Sequence, residues 1–215
     1  MTYIQLHSSV RVAMISDSLD LIGIRNNAMS PNICPLSGDM KIMGFAAPIG
    51  FTSSPDYNQA DPYALAIEYL DSLRAGEVAV VGTGESTESA FWGELFSTAA
   101  KQNGVLGVIS DGPLRDVNQI LAIGFSAFGV GSRPYDYKGR MKVTSVRQEI
   151  ICGGVAVAPG DFIIADQDGV IVVPQLVIDE VFTSANKRAL SENHVLIDLK
   201  AGSTVREAWN KHHIL

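Results

Sequence analysis

The chain has 215 residues, 47% of them hydrophobic and 18% charged, which supplies apolar surface for one large core and too little polarity for disorder. A formal net charge of −7, with no run of Lys or Arg, leaves no electrostatic footprint for a nucleic-acid backbone. No apolar run approaches the roughly 20 residues that span a bilayer, and Met1 to Arg11 lacks a charged head followed by an apolar stretch, so a cytoplasmic protein away from membranes is expected.

From the amino terminus, Val10 to Ile22 repeats its apolar residues at helical spacing and Gly23 stops it. Met29 to Pro48 is punctuated by Pro31, Pro35, Gly38, Gly44 and Pro48, which predicts a loop with a short strand near Lys41 to Phe45. Asp61-Pro62 reads as a helix start that runs to about Leu73. Strand and helix then alternate as in a parallel sheet: strand Val78 to Val81, helix Ser89 to Asn103, strand Val105 to Ser110, helix Asp116 to Ile123, strand Ala127 to Val130.

Beyond Tyr135 the chain becomes β-rich, with short segments at Val143 to Val146, Glu149 to Cys152, Val155 to Val157, Phe162 to Asp166 and Val170 to Val173. Helices from about Leu176 to Leu199 and from Thr204 to Lys211 finish it. The class is α/β with a β-rich second half.

Ligands of α/β sheets bind at strand-end loops, so the loops after Val81 and Ser110 are the first places to look. Gly82-Thr83-Gly84 starts like a dinucleotide fingerprint, but Thr87 stands where the third glycine belongs, and a tight turn explains the pair of glycines. Asp111-Gly112-Pro113-Leu114-Arg115-Asp116 sets a guanidinium beside a carboxylate at a helix entrance. Arg grips carboxylates in a fork, and Asp holds hard divalent cations. On residue chemistry alone a helix cap with a surface ion pair accounts better for Arg115 and Asp116, as a solvated helix position does for Glu94. Cys34 and Cys152 stand in no CxxC or metal-ligand spacing and read as free thiols, and His7, His194, His212 and His213 form no ligand set.

An ordered set of motifs adds to this. Ile15-Ser16-Asp17-Ser18-Leu19-Asp20, Gly93-Glu94-Leu95-Phe96, Gly107 through Asp116, Gly153 through Asp161 and Asp166 through Pro174 together resemble the RraA-like family over nearly the whole length. That family includes 4-hydroxy-4-methyl-2-oxoglutarate aldolases, which also decarboxylate oxaloacetate, and non-catalytic regulators of ribonuclease E. The resemblance implies a single swivelling β/β/α domain over residues 1–215, with carboxy-terminal helices from about 176, assembled as a homotrimer or a dimer of trimers.

It also implies a divalent-metal-dependent carbon–carbon lyase working through a pyruvate enolate. The family pattern is an acidic residue, twenty intervening residues and Arg-Asp, met here by Glu94 and Arg115-Asp116, with Glu where Asp is usual. By resemblance Asp116 anchors Mg2+ or Mn2+, Arg115 binds the oxygens of a small 2-oxo acid, the backbone N–H groups of Leu95 and Phe96 receive its carboxylate, and Glu94 delivers a proton through water. Arg140 would bind a distal carboxylate and Glu192 would shape the pocket, both reaching a neighbouring subunit's site. The rival expectation is a non-catalytic regulator that binds ribonuclease E or a helicase, whose surface has no need of Glu94.

Overall fold

The computed structural model describes residues 4–214. In chain order its first elements are α1 (Val12–Leu21), β1 (Cys34–Pro35), β2 (Ile42–Ser53), α2 (Ala64–Ser72), β3 (Glu77–Gly82), α3 (Glu94–Gln102), β4 (Gly107–Ser110), α4 (Val117–Ala122) and β5 (Ser126–Gly129). They are followed by β6 (Met141–Val146), β7 (Ile150–Cys152), β8 (Val155–Val157), β9 (Phe162–Asp166), β10 (Gly169–Val173), α5 (Ile178–Lys200) and α6 (Val205–His212). Internal contacts group residues 26–175 into one unit, and the stretch up to Arg25 with that from Leu176 onward into another.

The smaller unit is helical. Val181, Ala185 and Ala189 recur on one face of α5 and are buried, as are Val12, Ile15 and Leu19 of α1, which packs against α5. Thr204 starts α6 with a reciprocal cap, its hydroxyl accepting from the Glu207 N–H while the Glu207 carboxylate accepts from the Thr204 N–H. Asp198 of α5 ties α6 down, with Lys211 Nζ at 2.7 Å and His212 Nε2 at 2.6 Å.

The larger unit is a mixed sheet ordered β1-β5-β4-β3-β2-β9-β10, with β6 also paired to β2. Strands β2, β3, β4 and β5 run parallel, and the remaining pairings of this sheet are antiparallel. Successive side chains of a strand point to opposite faces, and the core divides accordingly. Ala47, Ile49, Ala79, Val81, Val108 and Ala127 meet Tyr69 of α2, Ala100 of α3 and Ile120 of α4. Ala46, Val78, Val80, Ile109, Phe128 and Ile163 meet Ile150, Cys152, Val155 and Val157 of the β7–β8 hairpin. The layers are therefore hairpin, sheet and helices. Removing one such side chain, as in Ile109→Ala, costs about 2–5 kcal/mol in transfer and cavity energy.

Two elements depart from the sequence reading. β2 runs twelve residues, through the Pro48 that was expected to lie in loop beyond a short strand near Lys41 to Phe45. On one side β2 pairs with β9 over Ile42–Phe45 and with β6 from Ile49 on, so Pro48 falls where the partner changes and no ladder bond needs its missing N–H. Helix α3 begins at Glu94 rather than Ser89, because Ala90 and Trp92 form single β-bridges to Asp136 and Leu114 instead.

Candidate active site

Four loops leave the carboxyl ends of the parallel strands β2, β3, β4 and β5, and all four contribute to one cleft. Its walls include Tyr63 from the first loop, Trp92 and Gly93 from the second, Arg115 and Asp116 from the third, and Asp136 and Tyr137 from the fourth. Ligand sites of open α/β sheets are found at such strand ends. The loops are laced as a continuation of the sheet: Ala90 N–H donates to Tyr135 O at 2.8 Å, Arg115 N–H to Trp92 O at 2.9 Å, and Arg133 N–H to Leu114 O at 2.9 Å. Side chains borne on laced loops are held more tightly than on free ones.

Asp116 sits at the amino end of α4 in the left-handed region, φ 57° and ψ 39°, a conformation Asp adopts more readily than most residues. Its Oδ2 accepts from the Glu94 N–H at 3.2 Å, so it satisfies one of the open donors in the first turn of α3. Gly93 makes this approach possible. A Cβ there would stand 2.6 Å from Asp116 Oδ2 and 2.9 Å from Arg115 Cγ, closer than real contacts allow.

Arg115 lies between two carboxylates, with Nε 3.7 Å from Asp116 Oδ2 and Nη1 3.5 Å from Asp136 Oδ2. Its side chain is 36% exposed, where such a pair contributes at most about 1 kcal/mol, so stability alone gives little reason for the arrangement. Asp136 Oδ2 also accepts from the Tyr63 hydroxyl at 2.6 Å. Burial, then the bond to Asp136, push the Tyr63 phenol up to about 12. Tyr63 and Asp136 went unnoticed in the sequence, because nothing local links residues 73 positions apart.

The Leu95 and Phe96 N–H groups, in the open first turn of α3, have no partner among the described residues, and both residues line the cleft. The Glu94 side chain is not part of the cleft lining, although its N–H bonds the Asp116 carboxylate. Arg140 is occupied within its own loop, donating to Asp136 O at 3.0 Å and lying 5.0 Å over the Tyr135 ring. Glu192, in the helical unit, joins Arg11 and Arg188 at 2.8 Å each. Asp111 serves structure: it is 2% exposed and accepts from the Thr83 N–H, the Thr83 hydroxyl and the Gly153 N–H, pinning the Gly82-Thr83-Gly84 turn.

Among the described residues no three His, Cys, Asp or Glu side chains gather as a metal cage. The donors present still suit a hard divalent cation, since magnesium is commonly held by one or two carboxylates with water and substrate oxygens completing its shell. Asp116, 42% exposed on the cleft, is the carboxylate placed for that role.

Comparison with known proteins fits this architecture. A Pseudomonas syringae pv. tomato protein of solved structure superposes with a TM-score of 0.82 at 24% identity, covering 96% of this chain and 99% of that one. A Streptomyces coelicolor protein, described as an unusual member of the RNase ES inhibitor RraA protein family, gives a TM-score of 0.80 at 24% identity, with 87% and 93% covered. These likenesses define a mixed α/β fold of RraA type.

The Aldolase/RraA model of the RraA-like family matches residues 12–172, and the chain belongs to that family. Protein DlpA of Legionella pneumophila is 31% identical over 196 residues, which is 91% of this chain and 31% of that protein, so the chain spans about a third of it. A Halalkalibacterium halodurans protein named "Putative 4-hydroxy-4-methyl-2-oxoglutarate aldolase" is 27% identical over 204 residues, 91% of each. Among the described residues no helix is long and apolar enough to cross a membrane.

Proposed function

We propose that the protein is a divalent-metal-dependent aldolase of small 2-oxo acids resembling 4-hydroxy-4-methyl-2-oxoglutarate, and a decarboxylase of oxaloacetate. The observation that carries this reading is the meeting of Arg115 and Asp116 with the open N–H groups of Leu95 and Phe96 on one cleft. That set offers a fork for substrate oxygens, a cation-binding carboxylate and a receptor for an anionic head group.

A magnesium or manganese ion held at Asp116 supplies Lewis acidity where negative charge develops on the substrate. The chain's own groups account for the rest. The Leu95 and Phe96 N–H groups orient the 2-oxo acid's carboxylate, and Arg115 donates to the oxygen of the carbonyl that departs. The hydroxyl on the far carbon gives its proton to water as the carbon–carbon bond breaks, so that carbon becomes a carbonyl while the bond's electron pair stays on the 2-oxo fragment as an enolate. Glu94, through a water, returns a proton to the enolate carbon and completes pyruvate. Oxaloacetate follows the same course with carbon dioxide as the departing group. In the homotrimer or dimer of trimers that goes with this reading, Arg140 and Glu192 serve a neighbouring cleft.

A panel of 2-oxo acids assayed for pyruvate release, with added metal and with chelator, tests the proposal. Metal-dependent release supports it. No release from any member with either metal returns the chain to the non-catalytic regulator reading.

A further inference from the structure

Three groups lining the cleft form a chain of contacts: Tyr63 hydroxyl to Asp136 Oδ2 at 2.6 Å, then Asp136 Oδ2 to Arg115 Nη1 at 3.5 Å. Both ends of the Asp136 carboxylate are engaged, since Oδ1 accepts from the Lys138 N–H at 3.2 Å. Its backbone is engaged as well, through the bridge to Ala90 and the bond from Arg140 to its carbonyl. The Tyr63 ring is fixed by edge contacts that run to the core, 5.4 Å to Tyr137 and from there 5.1 Å to Phe51.

Asp136 thus has one orientation, and it points a charge at the guanidinium that the proposed chemistry needs to hold still. A long, partly exposed Arg side chain has rotamer freedom to lose on gripping a ligand. A fixed carboxylate beside it removes part of that loss in advance.

We propose that Asp136, itself held by Tyr63, is a positioning residue that presents the Arg115 guanidinium to the carboxylate and carbonyl oxygens of a 2-oxo acid. The inference rests on the aldolase reading for its ligand class, while the holding of Arg115 stands on the contacts alone. A purely electrostatic role makes the opposite forecast. Asp136→Asn removes a negative charge beside an anion site, so without positioning it would tighten anion binding rather than weaken it.

The experiment uses the full chain, the variants Asp136→Asn, Tyr63→Phe and Arg115→Ala, and the double variants of each of the first two with Arg115→Ala. Oxalate, a planar stand-in for the enolate, is titrated calorimetrically in the presence of Mn2+. In the same samples the rate at which phenylglyoxal modifies Arg115 is mapped by peptide mass spectrometry without ligand. The expected result is oxalate binding weakened about tenfold by Asp136→Asn and several-fold by Tyr63→Phe, with further loss under about twofold once Arg115 is Ala. Arg115 should react faster in both single variants.

Unchanged or tighter oxalate binding, fully additive losses, or an unaltered modification rate each overturns the positioning role. Should Asp136→Asn fail to fold, Tyr63→Phe keeps the ring stack and decides alone. A wild type that binds oxalate but turns over no 2-oxo acid defeats the aldolase reading and leaves this inference standing. A wild type that binds no oxalate overturns the ligand assignment itself.

Discussion

Asp116 Oδ2 lies 3.2 Å from the backbone nitrogen of Glu94, so the carboxylate proposed to hold a metal also caps a helix that starts 22 residues earlier in the chain. The two duties separate by substitution. Asp116→Asn keeps an oxygen acceptor and a side chain that tolerates the left-handed backbone, whereas Asp116→Ala loses both. Activity should vanish in each, while urea unfolding should show about 1–3 kcal/mol lost in Ala and under about 0.5 kcal/mol in Asn. Equal stability losses would show that the cap contributes nothing, and activity retained under chelation would remove Asp116 from metal binding.

Gly93 is required by space and not by its dihedral angles, since its backbone is extended. Gly93→Ala drives a methyl group into Asp116 Oδ2 and Arg115 Cγ. We expect a loss of about 1–3 kcal/mol in stability from overpacking, and a fall in kcat/KM that is out of proportion to it. Thermal melts and steady-state kinetics on the same preparation check both, and an active, fully stable Gly93→Ala protein would show that the two side chains move aside freely.

For Arg115 the planar fork is the property under test. Arg115→Lys keeps the charge and should still lose at least about tenfold in kcat/KM, the effect of one charge-assisted bond worth at least roughly 1.4 kcal/mol. Unchanged kinetics would make the residue structural.

Glu94 is tested by isotope exchange. Its carboxylate has no partner among the described residues, which suits a group acting through water. Glu94→Gln should bind pyruvate as before and slow the exchange of pyruvate methyl protons with deuterated water by about 10²- to 10⁴-fold, with aldol cleavage falling alongside. Normal exchange with lost cleavage would move Glu94 to the leaving-group side of the cleft.

At high pH the tyrosines set the trend. Burial holds Tyr63 up to about 12, and it raises Tyr69 and Tyr137 further above the ordinary value of 10.0. A proton bound more tightly in the folded than in the unfolded chain stabilises the fold fully below the unfolded value, and that contribution is lost as pH rises beyond it. Urea midpoints should therefore be level with respect to these groups below pH 10 and fall from there towards 12. Tyr63→Phe should flatten the first part of that fall, and an identical slope in the variant would place the effect elsewhere.

The sequence by itself determined what local pattern and local chemistry determine. The run Phe162–Asp166, bounded by Gly160-Asp161 before it and Asp168-Gly169 after it, has one sensible conformation and became β9 with those limits. Thr204 and Glu207, three apart, define their own helix start. Arg115 and Asp116 stand side by side in the chain, so their pairing was legible there, whereas the Glu94 side chain, with twenty residues intervening, is not part of the cleft lining. Tertiary structure decided the rest. It carried β2 through Pro48, since only the change of partner from β9 to β6 leaves that proline's missing donor unneeded. It kept residues 89–93 out of α3, because their backbone bonds go to Pro113 and Tyr135 on other loops. It also joined Tyr63 to Asp136 and Asp136 to Arg115, side chains on three separate loops. Bonds between distant segments depend on where several strands end in space, and no local spacing in the chain encodes that.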